Sequence, residues 1–395
     1  MLIHPTIASF ADLAPISMTT SVVTLFSGGL DSAYTLLRLG ELGFRDVTAL
    51  LVDVGAPYDE PLLKETAARL GAQLRIIDAR ETFAEEFVAP AIAAHATYLN
   101  THPVSSSLSR PLLAREAVRI AGEIGARVVL HTANQSQNSL RRLNGAIAAL
   151  GYDGFFGTPY ELDADSRLKK QAALEHAGLS FYVQRETSGD ENLWCREFES
   201  GVLDDPEDVR VPAEMFEWSR LAGEPADETL VLAFREGRPV AVDGEVLPLV
   251  ELIMRLNERV GRYGLGRYTS LEHIDTGEKV VEVREMPAAH LLLDAYRRLE
   301  SATVSSETIR TKLVVEQAWV REAVEGRWFG QLREACQRFV FEVRAHVTGE
   351  IRYHLGRHGA DVTSVRAARP LYIRDRDAWE TVACGRGTRS FTTLG

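Results

Sequence analysis

The residues best able to do chemistry in this sequence are Phe26-Ser27-Gly28-Gly29-Leu30-Asp31-Ser32, where a β-branched run from Ser21 to Leu25 meets a helical pattern from Ala33 to Leu39. A short apolar strand, a Ser-Gly-Gly turn and a helix start build a phosphate cradle. The glycines let backbone N–H groups approach an anion with no Cβ in the way, and the helix N-terminus adds partial positive charge. No Gly-Lys-Ser/Thr follows, so the phosphate-gripping lysine of the P-loop is missing. Without further context the same turn reads as a plain strand-to-helix connection capped by serine. Downstream, Ser188-Gly189-Asp190-Glu191-Asn192-Leu193-Trp194 taken alone is an acidic loop with a buried tryptophan. Cys195, Cys336 and Cys384 lack metal-ligand spacing and are expected as small buried hydrophobes; no residue is assigned as a metal ligand.

In order and setting, Ser27 to Ser32 resemble the pyrophosphate-binding loop of the N-type ATP pyrophosphatases. Those enzymes adenylate a carbonyl or carboxylate oxygen, release pyrophosphate and let a nitrogen or sulfur nucleophile displace AMP. Within that superfamily the chain resembles the argininosuccinate synthase family. Ser188 to Trp194 is similar to its Ser-Ile-Asp-Glu-Asn-Leu-Trp, and Glu199-Ser200-Gly201-Val202-Leu203-Asp204-Asp205-Pro206 to its Glu-Gly-Gly-Ile-Leu-Glu-Asp-Pro. Ser106 to Leu113 resembles Thr-Ser-Ile-Ala-Arg-Pro-Leu-Ile, Asp53-Val54-Gly55 resembles Asp-Val-Gly, and Glu285 to Ala289 resembles Glu-Ala-Pro-Ala-Ala. The likeness runs from Val22 to the region of Tyr372.

That family joins citrulline to aspartate, so the resemblance implies ATP and Mg²⁺ as cofactors and a reaction in which positioning two reactants lowers much of the barrier. It implies nucleotide contacts at Ser27, Gly28, Gly29, Leu30, Asp31, Ser32, Asp53 and Arg110, and catalytic roles for Asp31, Ser32, Asn138 and Arg142. The family's citrulline-contacting Asn and Arg fall on Asn138 and Arg142, its first Ser on Ser188 and its Glu on Glu272, while Ser106 keeps a threonine's hydroxyl. Other positions depart. Against His-Gly-Ala-Thr-Gly-Lys-Gly-Asn-Asp-Gln-Val-Arg-Phe-Glu the chain has His131 to Asn144, so the glycines are gone, the aspartate-binding Thr is Asn134 and the amine-holding Asp is Ser139. A family Tyr is His102, the second Ser is Glu197 and another Tyr is Arg284. Glu197 and Arg284 either pair with each other or contact a substrate charged differently from citrulline. His102, Ser106, Asn134, Asn138, Ser139, Arg142, Ser188, Glu197, Glu272 and Arg284 are thus the expected substrate-binding set.

The elements that must position these groups are legible as pattern. From residue 21 to 185 short apolar runs alternate with amphipathic helices, which predicts an α/β domain with a doubly wound parallel sheet, adenine nucleotide alpha hydrolase-like by resemblance. Strands are expected at Val47 to Val52, Gln73 to Ile77 and Arg127 to Leu130, and helices at Asp59 to Gly71 and Pro111 to Ile124. Ligands bind at strand ends in such sheets, so Ser27 to Ser32, Asp53 to Ala56 and His131 to Asn138 should converge. After the polar boundary at Ala222 to Glu228 an α+β synthetase and multimerisation domain is expected. It has hairpins at Leu230 to Val242 and, around Thr348-Gly349, at Val340 to Leu355, with helices at Pro248 to Arg262, Pro287 to Leu299 and Ser305 to Val324. The expected division is an N-terminal extension over 1–20, dispensable if Met18 is the true start, a nucleotide-binding domain over 21–185 and a substrate-binding and multimerisation domain over 186–395.

Bulk properties narrow the function class. The chain of 395 residues is 45% hydrophobic and 25% charged with a formal net charge of −12, which argues against nucleic acid as a partner. No apolar run approaches membrane-spanning length, and the N-terminus lacks a signal-peptide pattern. The expectation is a cytoplasmic enzyme that acts on small molecules without a membrane partner and, by resemblance, assembles as a homo-oligomer of the family's tetrameric kind. Its expected activity is AMP- and pyrophosphate-forming C–N ligation, with aspartate or a related amino acid as nucleophile. The acceptor is a ureido, amide or carboxylate compound other than citrulline, as suits specialised metabolism. Two alternatives stay open: an authentic argininosuccinate synthase, and a catalytically silent nucleotide-binding relative.

Overall fold

A computed structural model describes residues 6–135, 137–163, 165–179, 188–221, 223, 225–274 and 277–385. The first half builds β1 (Thr6–Ile7), β2 (Val22–Leu25), α1 (Leu30–Glu41), β3 (Val47–Asp53), α2 (Glu60–Arg69) and β4 (Gln73–Asp78). Then come α3 (Arg80–Phe83), which runs through a π-turn into α4 (Ala89–Ala93), and the short pair β5 (Thr97–Tyr98) and β6 (His102–Pro103). α5 (Ser106–Ile124), β7 (Val128–Leu130), α6 (Ser139–Ala149), β8 (Phe155–Gly157) and α7 (Arg167–His176) complete it.

Six parallel strands order as β1-β8-β7-β2-β3-β4. The strands are apolar on both faces because both are covered. Val23, Leu50 and Val129 pack with α5 and α6 residues such as Leu112 and Ile147, while Val22, Ala49 and Val128 pack with Leu36 of α1, Ala67 of α2 and Leu174 of α7. The segment expected as an N-terminal extension supplies β1 and places Ile7, Phe10 and Leu13 in that second core. α5 begins at Ser106 rather than at the expected Pro111, because Leu108 and Leu112, one turn apart, are both fully buried and hold the preceding serines in helix.

The second half carries β9 (Ser188–Asn192), β10 (Cys195–Glu199), β11 (Glu228–Arg235), β12 (Arg238–Val242), β13 (Glu245–Val246), α8 (Leu249–Gly261), β14 (Arg267–His273) and β15 (Lys279–Glu285). α9 (Pro287–Thr303), α10 (Ser306–Val324), α11 (Gln331–Arg344), β16 (Gly349–Gly356), β17 (Gly359–Ala367) and α12 (Arg376–Gly385) follow. One sheet runs β14-β15-β10-β9 and another β13-β12-β11-β16-β17. The stretch that reads alone as an acidic loop is instead the β9–β10 hairpin, with Trp194 buried at its turn. The β11–β12 hairpin turns on Glu236 and Gly237, both at positive φ, the twist that two-residue hairpin loops favour. A hairpin expected over Val340 to Leu355 is corrected: Val340 and Val343 lie three apart on the buried face of α11, and the chain reverses at Arg357-His358 between β16 and β17.

Candidate active site

The C-terminal ends of β2, β3 and β7 open on a cavity of about 550 Å³, and one side of it is the Ser27 to Ser32 turn. Gly29 is the N-cap of α1, and its N–H is 3.3 Å from Ser27 Oγ. Gly28 has φ +74°, and a Cβ there would stand 2.2 Å from the Leu63 side chain, so the turn requires glycine. Ser32 is buried and donates its hydroxyl to Gly29 O at 3.0 Å, which closes the first turn. Asp31 is held by Lys170 of α7 at 2.7 Å, and Lys170 lies 4.4 Å over the Tyr160 ring. Leu30 also lines the cavity, but Asp53 does not: its carboxylate accepts the Gly55 N–H at 2.8 Å and faces Arg80 at 3.5 Å.

Opposite the cradle stands one face of the β14-β15-β10-β9 sheet. Side chains alternate across a strand, and paired residues share a face. Glu197 of β10 is in register with both Arg284 of β15 and Asp190 of β9, and Glu199 pairs with Ser188. Glu282 pairs with Ser270, and Glu272 lies two residues further along β14. The opposite face is partly apolar, packing Phe198 and Val283 with Leu203 and Phe216. The side chain of Ser188 lies outside the described residues.

The buried polar groups interlock. Arg284 donates to Glu197 Oε1 at 3.0 Å and to Ser270 Oγ at 2.9 Å, and its Nη2 also reaches Glu272 and Glu282. Glu272 accepts from Arg142 at 2.9 Å and from Asn138 Nδ2 at 2.9 Å. Arg142 donates further to Ser106 Oγ at 2.7 Å and Val324 O at 3.0 Å. Arg110 bridges Ser139 Oγ at 2.9 Å and Asp190 at 3.0 Å. His102 lies 3.9 Å from Glu272, and together with Ser106, Glu197 and Arg284 these two enclose only about 10 Å³. Asn134 does not line the main cavity; its N–H donates to Gln137 Oε1.

Burial opposes the charged form of Glu272, yet the Arg142 and Arg284 guanidiniums outweigh it and hold the carboxyl down at about 2. Burial lowers His102 to about 3, assisted by Arg284, and lowers His131 to about 4, so both imidazoles are neutral. His131 accepts the Ala133 N–H and contacts Asn144 Oδ1 at 2.9 Å, ties that orient the loop after β7. Burial raises Glu197 and Glu199, and Glu282 most of all, despite the favourable charge of Arg284 on Glu197 and Glu282.

The structure therefore brings the cradle, Ser106, Arg110, Asn138, Ser139, Arg142 and Glu197 to one cavity, with His102, Glu272 and Arg284 directly behind it. It leaves Asp53 and Asn134 outside the lining. Sequence reasoning missed Glu199 and Glu282, which also line the cavity; each stands two residues from an expected site residue on the same strand, a period that was available as a signal.

Two family models match the chain: the arginosuccinate synthase N-terminal HUP domain over residues 21–177 and the arginosuccinate synthase C-terminal domain over residues 187–383. Argininosuccinate synthase of Rubrobacter xylanophilus is 36% identical over 362 residues, 90% of this chain and 87% of that protein. The argininosuccinate synthase of Pyrococcus furiosus is 35% identical over 357 residues, 89% of this chain and 86% of that protein. Among solved structures, the NH3-dependent NAD synthetase from Campylobacter jejuni gives a TM-score of 0.29 at 16% identity, over 43% of this chain and 69% of that one.

Proposed function

The chain belongs to the argininosuccinate synthase family, and on that premise we propose that it is an ATP-dependent C–N ligase whose carbonyl acceptor is not citrulline. The acceptor oxygen attacks the α-phosphorus of ATP, the bond to the β-phosphate oxygen breaks, and pyrophosphate leaves. An amine of aspartate or a related amino acid then attacks the activated carbon, AMP departs, and the amine gives up a proton. Backbone N–H groups of the Ser27 to Gly29 turn and the α1 dipole suit the departing pyrophosphate. Ser32 and Lys170 act through the cradle, one closing its turn and the other fixing Asp31. Asn138 and Arg142, locked through Glu272, form the rigid wall that presents the acceptor.

Mg²⁺ fits this arrangement. An ion held mainly by phosphate oxygens takes one or two protein carboxylates, and Asp31, 38% exposed in the cradle, is suited to supply one. Among the described residues no group of three or more His, Cys, Asp or Glu stands ready to hold a metal without phosphate. When bound, the ion offsets the charge of the leaving pyrophosphate. Residues 21–185 are assigned to nucleotide binding and 186–395 to substrate binding and multimerisation. No helix among the described residues is long and apolar enough to cross a membrane, and a cytoplasmic location is part of this reading. Exposed Leu371, Ile373, Trp379 and Val382 support a homo-oligomer built through the C-terminus.

One observation carries the altered acceptor: Glu197 and Arg284, which stand where the family has a serine and a tyrosine, pair with each other at 3.0 Å, and Arg284 also reaches Glu272 and Glu282, so that buried charge replaces hydroxyls beside the cavity. Pyrophosphate release from ATP, Mg²⁺ and aspartate tests this with citrulline and with other ureido, amide and carboxylate compounds. Release is expected with one of the latter and near background with citrulline. Robust citrulline-dependent release overturns the altered acceptor, and absence of ATP binding overturns the ligase.

A further inference from the structure

Resting on the ligase reading above, we propose that the acceptor carries a cation, an ammonium or amidinium, at the end remote from its reacting carbonyl, and no carboxylate there. The Glu197, Glu199, Glu282 and Asp190 wall of the cavity receives it.

Donor and acceptor supply in the cavity leads to this. Among the described residues, Asp190, Glu197, Glu199, Glu272 and Glu282 are five carboxylates around the acceptor end, against three guanidiniums, Arg110, Arg142 and Arg284. Each guanidinium is already engaged with protein. Arg284 serves Glu197, Glu272, Glu282 and Ser270; Arg142 serves Glu272, Ser106 and the Val324 carbonyl; Arg110 serves Asp190 and Ser139. Arg167, which also lines the cavity, belongs to the phosphate side, at the head of the helix whose Lys170 holds Asp31. A carboxylate arriving at the wall therefore meets like charge.

A second observation points to a donor ligand. Asn138 lines the cavity and is 8% exposed, and its Nδ2 donates to both Glu272 at 2.9 Å and the His273 carbonyl at 2.8 Å, which fixes the amide's orientation. Its Oδ1 is buried and, among the described residues, has no partner. A buried acceptor without a donor is costly, and a ligand N–H removes that cost. A neutral tail leaves the carboxylates in excess of the guanidiniums dehydrated and without a counter-ion, whereas a cation supplies that charge through charge-assisted hydrogen bonds. Bound ATP adds negative charge on the cradle side, so the cation lies between two anionic walls. Its own site lies in the main cavity, because the space behind Glu197 is already filled by Arg284.

The test uses matched acceptors: urea, primary amide and carboxylate heads, each on a short alkyl chain ending in ammonium, methyl or carboxylate. Each is titrated calorimetrically into the full chain loaded with a non-hydrolysable ATP analogue and Mg²⁺. In at least one head series the ammonium-ended compound is expected to bind about tenfold or more tightly than its methyl-ended match, and the carboxylate-ended one most weakly. Glu199→Gln and Glu282→Gln are expected to cut that preference several-fold without weakening the ATP analogue. Glu199 contacts Gln137 rather than a buried guanidinium, so its variant carries the test if Glu282→Gln misfolds. A methyl- or carboxylate-ended compound that binds as tightly, or failure of every ammonium-ended compound to bind, overturns the proposal. Failure of the ligase reading shows elsewhere, as absent pyrophosphate release with every head.

Discussion

Glu272 is the residue on which the interior of the site turns. It accepts from Arg142, Arg284 and Asn138 at once, and without it two buried guanidiniums lose their shared counter-ion. Removing one partner of a buried pair costs far more than the pair contributes, so Glu272→Ala is expected to lower unfolding free energy by about 3–5 kcal/mol, read by denaturant titration. Its pH signature has a definite sign. A carboxyl held down to about 2 from an ordinary 4.5 contributes stability that is complete above 4.5 and is lost as pH falls toward 2. Motif matching brought Glu272, Asn138 and Arg142 into view individually, but their interlocking depends on groups more than a hundred residues apart in sequence. Glu197 and Arg284 are likewise distant, 87 residues apart. Sequence left their pairing open between two readings, and the β10–β15 register pairs them.

Elements meet at Gly55. The turn after β3 packs against the turn of the β9–β10 hairpin, where the Leu193 N–H donates to the Val54 carbonyl at 2.8 Å. Gly55 has φ +103°, and a Cβ there would stand 2.8 Å from the Leu193 backbone nitrogen. Gly55→Ala is therefore expected to cost about 1–3 kcal/mol and, by shifting the acidic hairpin relative to the cradle, to raise KM for the acceptor more than for ATP. Steady-state kinetics with each substrate varied separately checks the split. The strand-turn-helix of the cradle was legible because its signals are local: β-branched strand, glycines, helix start. The hairpin expected around Thr348-Gly349 failed for the complementary reason, since Phe341, Val343, Ala345 and Val347 alternate as a strand does, while Val340 and Val343 equally fit the buried helical face that α11 adopts. Asp53 shows a third limit: a motif places a residue at a strand end without saying where its carboxylate turns.

At the scale of the whole molecule, burial holds four histidines down among the described residues: His95 and His102 at about 3, His131 at about 4, and His290 below its ordinary value. Below their ordinary 6.5 the unfolded chain takes up protons that the folded one refuses, so stability falls with pH from about 6.5. Each contributes at most about 1.4 kcal/mol per pH unit, levelling off near its folded value. Denaturant titrations at several pH values are expected to show this decline well above the carboxylate range, and His131→Gln to flatten it. The parallel sheet with helices on both faces and the α+β second half were legible from alternation and breakers, whereas the charged sheet face facing the cradle was not, because it is assembled from strands distant in sequence. On the proposed reading this fold keeps the family's pyrophosphate-releasing half, and the Glu197–Arg284 pair disfavours citrulline at the acceptor wall. Citrulline-dependent pyrophosphate release, compared between the natural chain and the Glu197→Ser, Arg284→Tyr double variant, tests it most directly. The natural chain should stay near background and the double variant, retaining ATP binding, should rise at least several-fold; robust release by the natural chain, unchanged in the variant, would contradict it.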